Sequence, residues 1–175
     1  MDVQKELGAN PILLLIVQSA DYQAEVVRSV RSLAGKRICY VTLNKTCASL
    51  HELFKREKID LESIVFVDTV SSALHQTPAR TKNCHFTTSP LLLSEVFGTI
   101  TRLDLANFDC LIFDSLTNLA AYDNNAALLN FFFNLTSHAR ESGTSAVFYA
   151  LQNPSNEAVI RDLSKFVDKV LSVER

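Results

Sequence analysis

The chain reads as a three-layer α/β domain built on a mostly parallel sheet of about six to seven strands. Three observations lead there: short unbroken apolar runs, helix-length amphipathic segments between them, and turn or cap residues at the joints. Runs such as Ile12–Val17 (ILLLIV) suit strands covered on both faces. Segments of helical period between them leave room for right-handed crossovers, which place helices on both sides of a parallel sheet.

Ile12–Val17 is the first strand. Asp21 can cap the next helix, whose Tyr22, Val26, Val27, Val30 and Leu33 share one face, and Gly35 supplies a left-handed stop. Arg37–Leu43 (RICYVTL) is the second strand. Cys47–Lys58 is a helix with Leu50, Leu53 and Phe54 inward and Lys55, Arg56, Glu57 and Lys58 in water. Ser63–Thr69 (SIVFVDT) is the third strand. Residues 71–88 are polar, with Pro78 and the basic Arg80, Lys82 and His85; Cys84–Thr87 has the composition of a short extra strand. Ser89-Pro90 is a helix start, followed by a stripe of Leu93, Val96, Phe97, Ile100 and Leu103. Cys110–Phe113 (CLIF) is a buried strand ending at Asp114. A helix over Asn125–Ser142 closes at Gly143, and the strands Ala146–Leu151 and Val167–Val173 flank a helix over Glu157–Phe166. No composition break or internal repeat divides the chain, so residues 1–175 are expected to be one domain.

Composition narrows the function classes. With 17 basic and 19 acidic residues the net charge is −2, which argues against a dedicated nucleic-acid binder. The four cysteines, Cys39, Cys47, Cys84 and Cys110, form no Cys-x-x-Cys pair and read as reduced cytosolic thiols. No apolar run is long enough for a membrane span. Asp2 and Glu6 outweigh Lys5 ahead of the first apolar run, unlike a secretory leader, so a cytoplasmic protein is expected. Four glycines leave little material for a glycine-rich phosphate loop.

Ligands of parallel sheets bind beyond the carboxyl ends of the strands. The residues there are Gln18-Ser19, Asn44-Lys45, Asp68-Thr69, Asp114-Ser115 and Gln152-Asn153. Four apolar residues followed by Asp114-Ser115 (CLIFDS) have the form of a Walker B strand, in which an aspartate orients Mg²⁺ beside a nucleotide's phosphates. With YVTLN, IVFVDT, SPLLLSEVFGTITRL…FDCLIFDSLTNLAAY and the closing FVDKVLSV, the chain resembles the RecA/KaiC-like ATPase superfamily, in its archaeal KaiC-like type. The resemblance spans nearly the whole chain. It implies the RecA-like fold of P-loop nucleotidases, ATP and Mg²⁺ as the family's cofactors, and assembly of domains side by side.

Two departures count against catalysis. The family's phosphate loop, G-x-x-x-x-G-K-[ST], should follow the first strand, where Gln18-Ser19-Ala20-Asp21-Tyr22 stands without glycine or lysine. Such a loop works because glycines let backbone N–H groups converge on phosphate and a lysine neutralises its charge. Asp21 puts a negative charge there instead. The family's acidic pair after the second strand is replaced by Asn44-Lys45, which cannot take a proton from water. Lys45-Thr46 imitates the tail of a phosphate loop, but the residues before it belong to a strand. Asp114 and Ser115 are therefore expected to be a degenerate nucleotide site whose side chains bond local backbone, with no bound cofactor. The function expected is a non-catalytic scaffolding or regulatory subunit. The alternative is a divergent Mg-dependent ATP-binding protein or ATPase using Asp114, with an arginine or Lys45 in place of the missing lysine.

The remaining candidates are weaker. His51, His75, His85 and His138 are dispersed, and Cys84-His85 lacks partners at ligand spacing, so no metal site is expected. Cys47, near Lys45 at a helix start, reads as a structural thiol. Arg28, Arg31, Lys36, Arg37 and Lys45 could gather on one face, without the interleaved aromatics that stack on bases. In LLNFFFNL, Leu128, Phe131, Phe132 and Leu135 can share the core stripe, which turns Leu129 and Phe133 to the flank. Leu129, Phe132 and Phe133 are the interface candidates of this run, for a second copy or a protein partner.

Overall fold

A computed structural model describes residues 2–74, 83–89, 91–120 and 125–173. The elements follow the chain as α1 (Val3–Ala9), β1 (Ile12–Val17), α2 (Tyr22–Ser32), β2 (Ile38–Thr42), α3 (Cys47–Arg56), β3 (Ile64–Asp68) and β4 (Cys84–Phe86). Then come α4 (Leu93–Leu103), β5 (Cys110–Asp114), α5 (Leu116–Ala120), α6 (Asn125–Glu141), β6 (Ser145–Leu151), α7 (Glu157–Leu163) and β7 (Lys169–Val173). The strands form one sheet in the order β4-β3-β2-β5-β6-β1-β7. Every pairing is parallel.

Two helical layers cover this sheet. On one face, α1, α2 and α3 bury Val3, Leu7, Val26, Val30, Leu50 and Phe54 against Leu13, Leu15, Tyr40, Phe66 and Tyr149. On the other, α4 to α7 bury Ile100, Leu116, Phe132 and Leu163 against Ile12, Leu14, Val41, Phe113 and Phe148. The alternation within β1, with Leu13 and Leu15 to one layer and Ile12 and Leu14 to the other, is why its sequence shows no polar position. Gly35 (φ 80°) and Gly143 (φ 67°) take the left-handed conformation expected of them after α2 and α6.

Several boundaries differ from the sequence reading. Asp2 caps α1, accepting the Lys5 amide at 3.2 Å, in a stretch that the sequence had marked only for its charge. α4 begins at Leu93, because the Ser89 hydroxyl accepts the Leu91 amide in a separate turn; Pro90 lies outside the described residues. β7 begins at Lys169, since Asp168 turns its carboxylate onto the Ile12 amide at 2.8 Å. The short helix α5 between Asp114 and α6 was not anticipated. Asp21 stands at the N-cap of α2, but its side chain does not cap the helix. Arg80 and Lys82 lie outside the described residues.

Candidate functional site

β5 lies between β2 and β6, and its last residue, Asp114, is in register with Thr42 at the end of β2. Asp114 is 1% exposed. The Tyr40 hydroxyl donates to its Oδ2 at 2.5 Å, and Asn44 Nδ2 donates to its Oδ1 at 2.7 Å. Asn44 Nδ2 also reaches the Tyr22 hydroxyl at 2.8 Å, while Asn44 Oδ1 accepts from Asn118 Nδ2. One carboxyl group thus gathers β2, the β2–α3 turn, the first turn of α2 and the helix α5. Burial pushes the Asp114 carboxyl up to about 8. The same burial raises Tyr40 and Tyr149 above the usual phenol range.

These partners correct one expectation. Asp114 bonds side chains from distant elements rather than local backbone. Ser115 behaves more locally: it is fully buried, with its Oγ 3.2 Å from Thr117 Oγ1, which in turn accepts the Leu151 amide. The Asp114–Ser115 peptide is cis.

The connection from β1 to α2 is a tight turn. The Asp21 amide bonds the Gln18 carbonyl at 3.0 Å, and α2 begins at the next residue. Tyr22 then lays its ring edge-on to Tyr149, with centroids 5.9 Å apart, and its hydroxyl accepts from Asn44 Nδ2. Side chains therefore fill the space beside Asp114.

The other strand ends are occupied by turn chemistry. Asp68 is fully buried and accepts the Cys47 amide (2.7 Å), the Val70 amide (2.8 Å), the Ser71 amide (2.9 Å) and the Ser71 hydroxyl (2.7 Å). Thr46 caps α3 by accepting the Ser49 amide, which is the role of the Lys45-Thr46 pair in the fold. Gln152 continues the sheet to the Val17 carbonyl, and Asn153 accepts the Ser155 amide in the turn before α7.

The basic residues do not form one patch of uncompensated charge. Arg28 pairs with Glu25, Arg31 with Glu57 and Arg37 with Asp109. Among the described residues no group of three or more potential metal ligands lies together. Cys47 Sγ and His51 Nε2 are 3.5 Å apart, a contact the sequence did not disclose, although one helical turn separates them. Burial, then the neighbouring Lys55, lowers the His51 pKa. That thiol is only 3% exposed, consistent with a structural residue.

On α6, Phe132 is fully buried and packs edge-on to Phe148, so it offers no surface to a partner. Phe133 is 50% exposed and rests on Phe166, while Leu129 is half-buried against the core. The interface candidates thus narrow to Phe133 with Leu129 beside it. The sequence also missed Tyr40, Tyr22 and Asn118. A tyrosine inside an otherwise apolar strand needs a hydroxyl partner, and that signal could have placed Tyr40.

Among solved structures, the chain is similar to a KaiC-like protein from the hyperthermophilic archaeon Pyrococcus horikoshii. Their TM-score is 0.67 at 18% sequence identity, over 94% of this chain and 73% of that one. The two share a RecA/KaiC-like fold. No protein-family model matches the chain, and no curated protein matches it either. Among the described residues no helix is long and apolar enough to cross a membrane.

Proposed function

We propose that this chain is a non-catalytic KaiC-like domain, a scaffolding or regulatory subunit that works by binding protein and does not hydrolyse ATP. One observation carries the reading. Both carboxyl oxygens of Asp114 accept from side chains, Oδ2 from Tyr40 and Oδ1 from Asn44, and Asn44 is held in turn against Tyr22. A magnesium-orienting aspartate needs an oxygen open to metal or its water, and a triphosphate needs converging amides and a cation. Here the tight Gln18–Asp21 turn leads straight into α2. The half-exposed Phe133, supported by Phe166, is the surface assigned to a second copy or another protein.

Titration calorimetry with Mg-ATP at millimolar concentration tests the first part. No saturable heat is expected, and Asp114→Ala should change stability only. Saturable binding that disappears in Asp114→Ala would establish the Mg-dependent nucleotide protein instead. Sedimentation at high concentration and recovery from native lysate test the second part. A wild type that stays monomeric and brings down nothing would remove the scaffold reading.

A further inference from the structure

We propose that β7 is the seam of a two-fold dimer, its open edge pairing antiparallel with β7 of a second copy so that the two sheets run on as one. The proposal deepens the reading above by naming a second copy as the protein bound, and it rests on that reading. The sheet order leaves two edges, β4 and β7. β4 pairs with its neighbour only from Cys84 to Phe86, whereas β7 keeps unbroken register with β1 from Lys169 to Val173. The hydrogen-bonding phase of β7 follows from β1. The Pro11 and Val17 carbonyls accept the amides of Ala146 in β6 and of Gln152 just beyond it, so the alternate carbonyls of Leu14 and Ile16 face β7. In a parallel ladder, the residue in register with such a carbonyl turns its own amide and carbonyl the other way. Leu14 is in register with Val170 and Ile16 with Ser172, so these two residues of β7 present backbone donors and acceptors at the open edge. Both side chains are exposed as well.

The edge is its own complement, as an isologous contact requires. A two-fold axis at Leu171 sets Val170 opposite Ser172 of the second copy and Ser172 opposite its Val170, each pair exchanging both backbone bonds. Charge allows the same register: Leu171 meets Leu171 and Lys169 meets Val173, so within the strand no like charges are opposed. The usual guards of an edge strand are missing. From Lys169 to Val173 there is no proline and no break in register, and the one lysine is drawn back to Glu6 of α1 at 2.8 Å. The seam is also continuous with the surface already assigned to protein binding. Val170, in register with Leu14, lies on the α4–α7 side of the sheet, where Phe133 rests on Phe166 just before β7 begins. Leu171 and Val173 pack on the α1–α3 side, so the paired leucines would join one copy's core to the other's.

Two variants of the full chain test the seam. Residues facing each other on such an axis stand about 4.5 Å apart at Cα, within disulfide reach. Mildly oxidised at high concentration, Leu171→Cys should give a covalent dimer on a non-reducing gel. The wild type, with its four native cysteines, and Val173→Cys should not. Ser172→Pro removes an outward amide that a single copy leaves unpaired. Sedimentation equilibrium should show its dimer about tenfold weaker or more, with the circular-dichroism spectrum unchanged. A wild-type dimer that Ser172→Pro leaves unweakened, or that Leu171→Cys does not cross-link, would overturn the seam and leave the scaffold reading standing. If one variant does not fold, the other decides. A wild type that stays monomeric at high concentration would overturn the seam in any case. The scaffold reading would then fall with it if native lysate yields no bound protein, and outlive it if one is recovered.

Discussion

Two aspartates end parallel strands after similar apolar runs, Asp68 after IVFV and Asp114 after CLIF, yet their surroundings share little. Asp68 is enclosed by its own turn and by the start of α3; three of its four donors are backbone amides. Asp114 is enclosed by side chains, drawn directly or through Asn44 from four separate elements. Asp68 therefore holds a local shape that chain neighbours would impose almost anywhere. Asp114 is a tertiary node, and its partners exist only once the sheet and both helical layers have formed. The same sequence pattern marks a turn in one place and a tertiary hydrogen-bond node in the other.

The largest effect that could break this contrast is expected at Asp68. Asp68→Ala strands three amides in a buried site and should cost about 3–4 kcal/mol by urea denaturation. A loss below ~1 kcal/mol would mean that the turn does not need its carboxylate. Asp114→Ala should cost roughly 2 kcal/mol below about pH 4, where the carboxyl is protonated folded and unfolded alike, and Asp114→Asn, which keeps the shape and an acceptor oxygen, under ~1 kcal/mol there. Equal costs for Ala and Asn would mean that the node's hydrogen bonds contribute nothing.

The pH dependence sharpens the contrast further. Asp114 is raised to about 8 in the folded state, against about 3.9 in an unfolded chain. The folded state thus keeps a proton that the unfolded state releases. This contribution is fully present below about pH 4, declines as pH rises, and is gone above about 8. Wild-type stability should fall over that window relative to Asp114→Asn, and identical slopes would refute the assignment. The smallest effect is expected at Phe133, half in solvent, where Phe133→Asp should change stability by under ~1 kcal/mol but abolish concentration-dependent sedimentation. A large loss of stability there would make Phe133 a core residue instead.

Much of the fold was legible. Ile12–Val17 is the first strand as read, and the other strand boundaries moved by no more than a residue or two, because doubly covered strands leave unbroken apolar runs. The stripes Val26-Val27-Val30-Leu33 and Leu50-Leu53-Phe54 face the core as their spacing requires. The site was legible only in part. Asp114-Ser115 stood out by its place after CLIF, and Asn44 by its place after the second strand, but nothing in their spacing joins them. Seventy positions separate Asn44 from Asp114 along the chain. Tyr22 was read as one more apolar position on α2, since a helical stripe records where a ring packs and not where its hydroxyl goes.

The amino-acid order by itself settled the three-layer architecture and the lack of glycine and lysine between β1 and α2. Both depend on short-range features: runs, periods, and the presence or lack of glycine and lysine within a few residues. Only the tertiary structure decided that Tyr40, Asn44, Tyr22 and Asn118 meet around one carboxyl, and that Phe132 turns inward while Phe133 does not. Hydrogen bonds are short and directional, so which groups share one depends on how strands are ordered and how helices sit across them. That information appears only when distant parts of the chain are brought within three ångströms of one another.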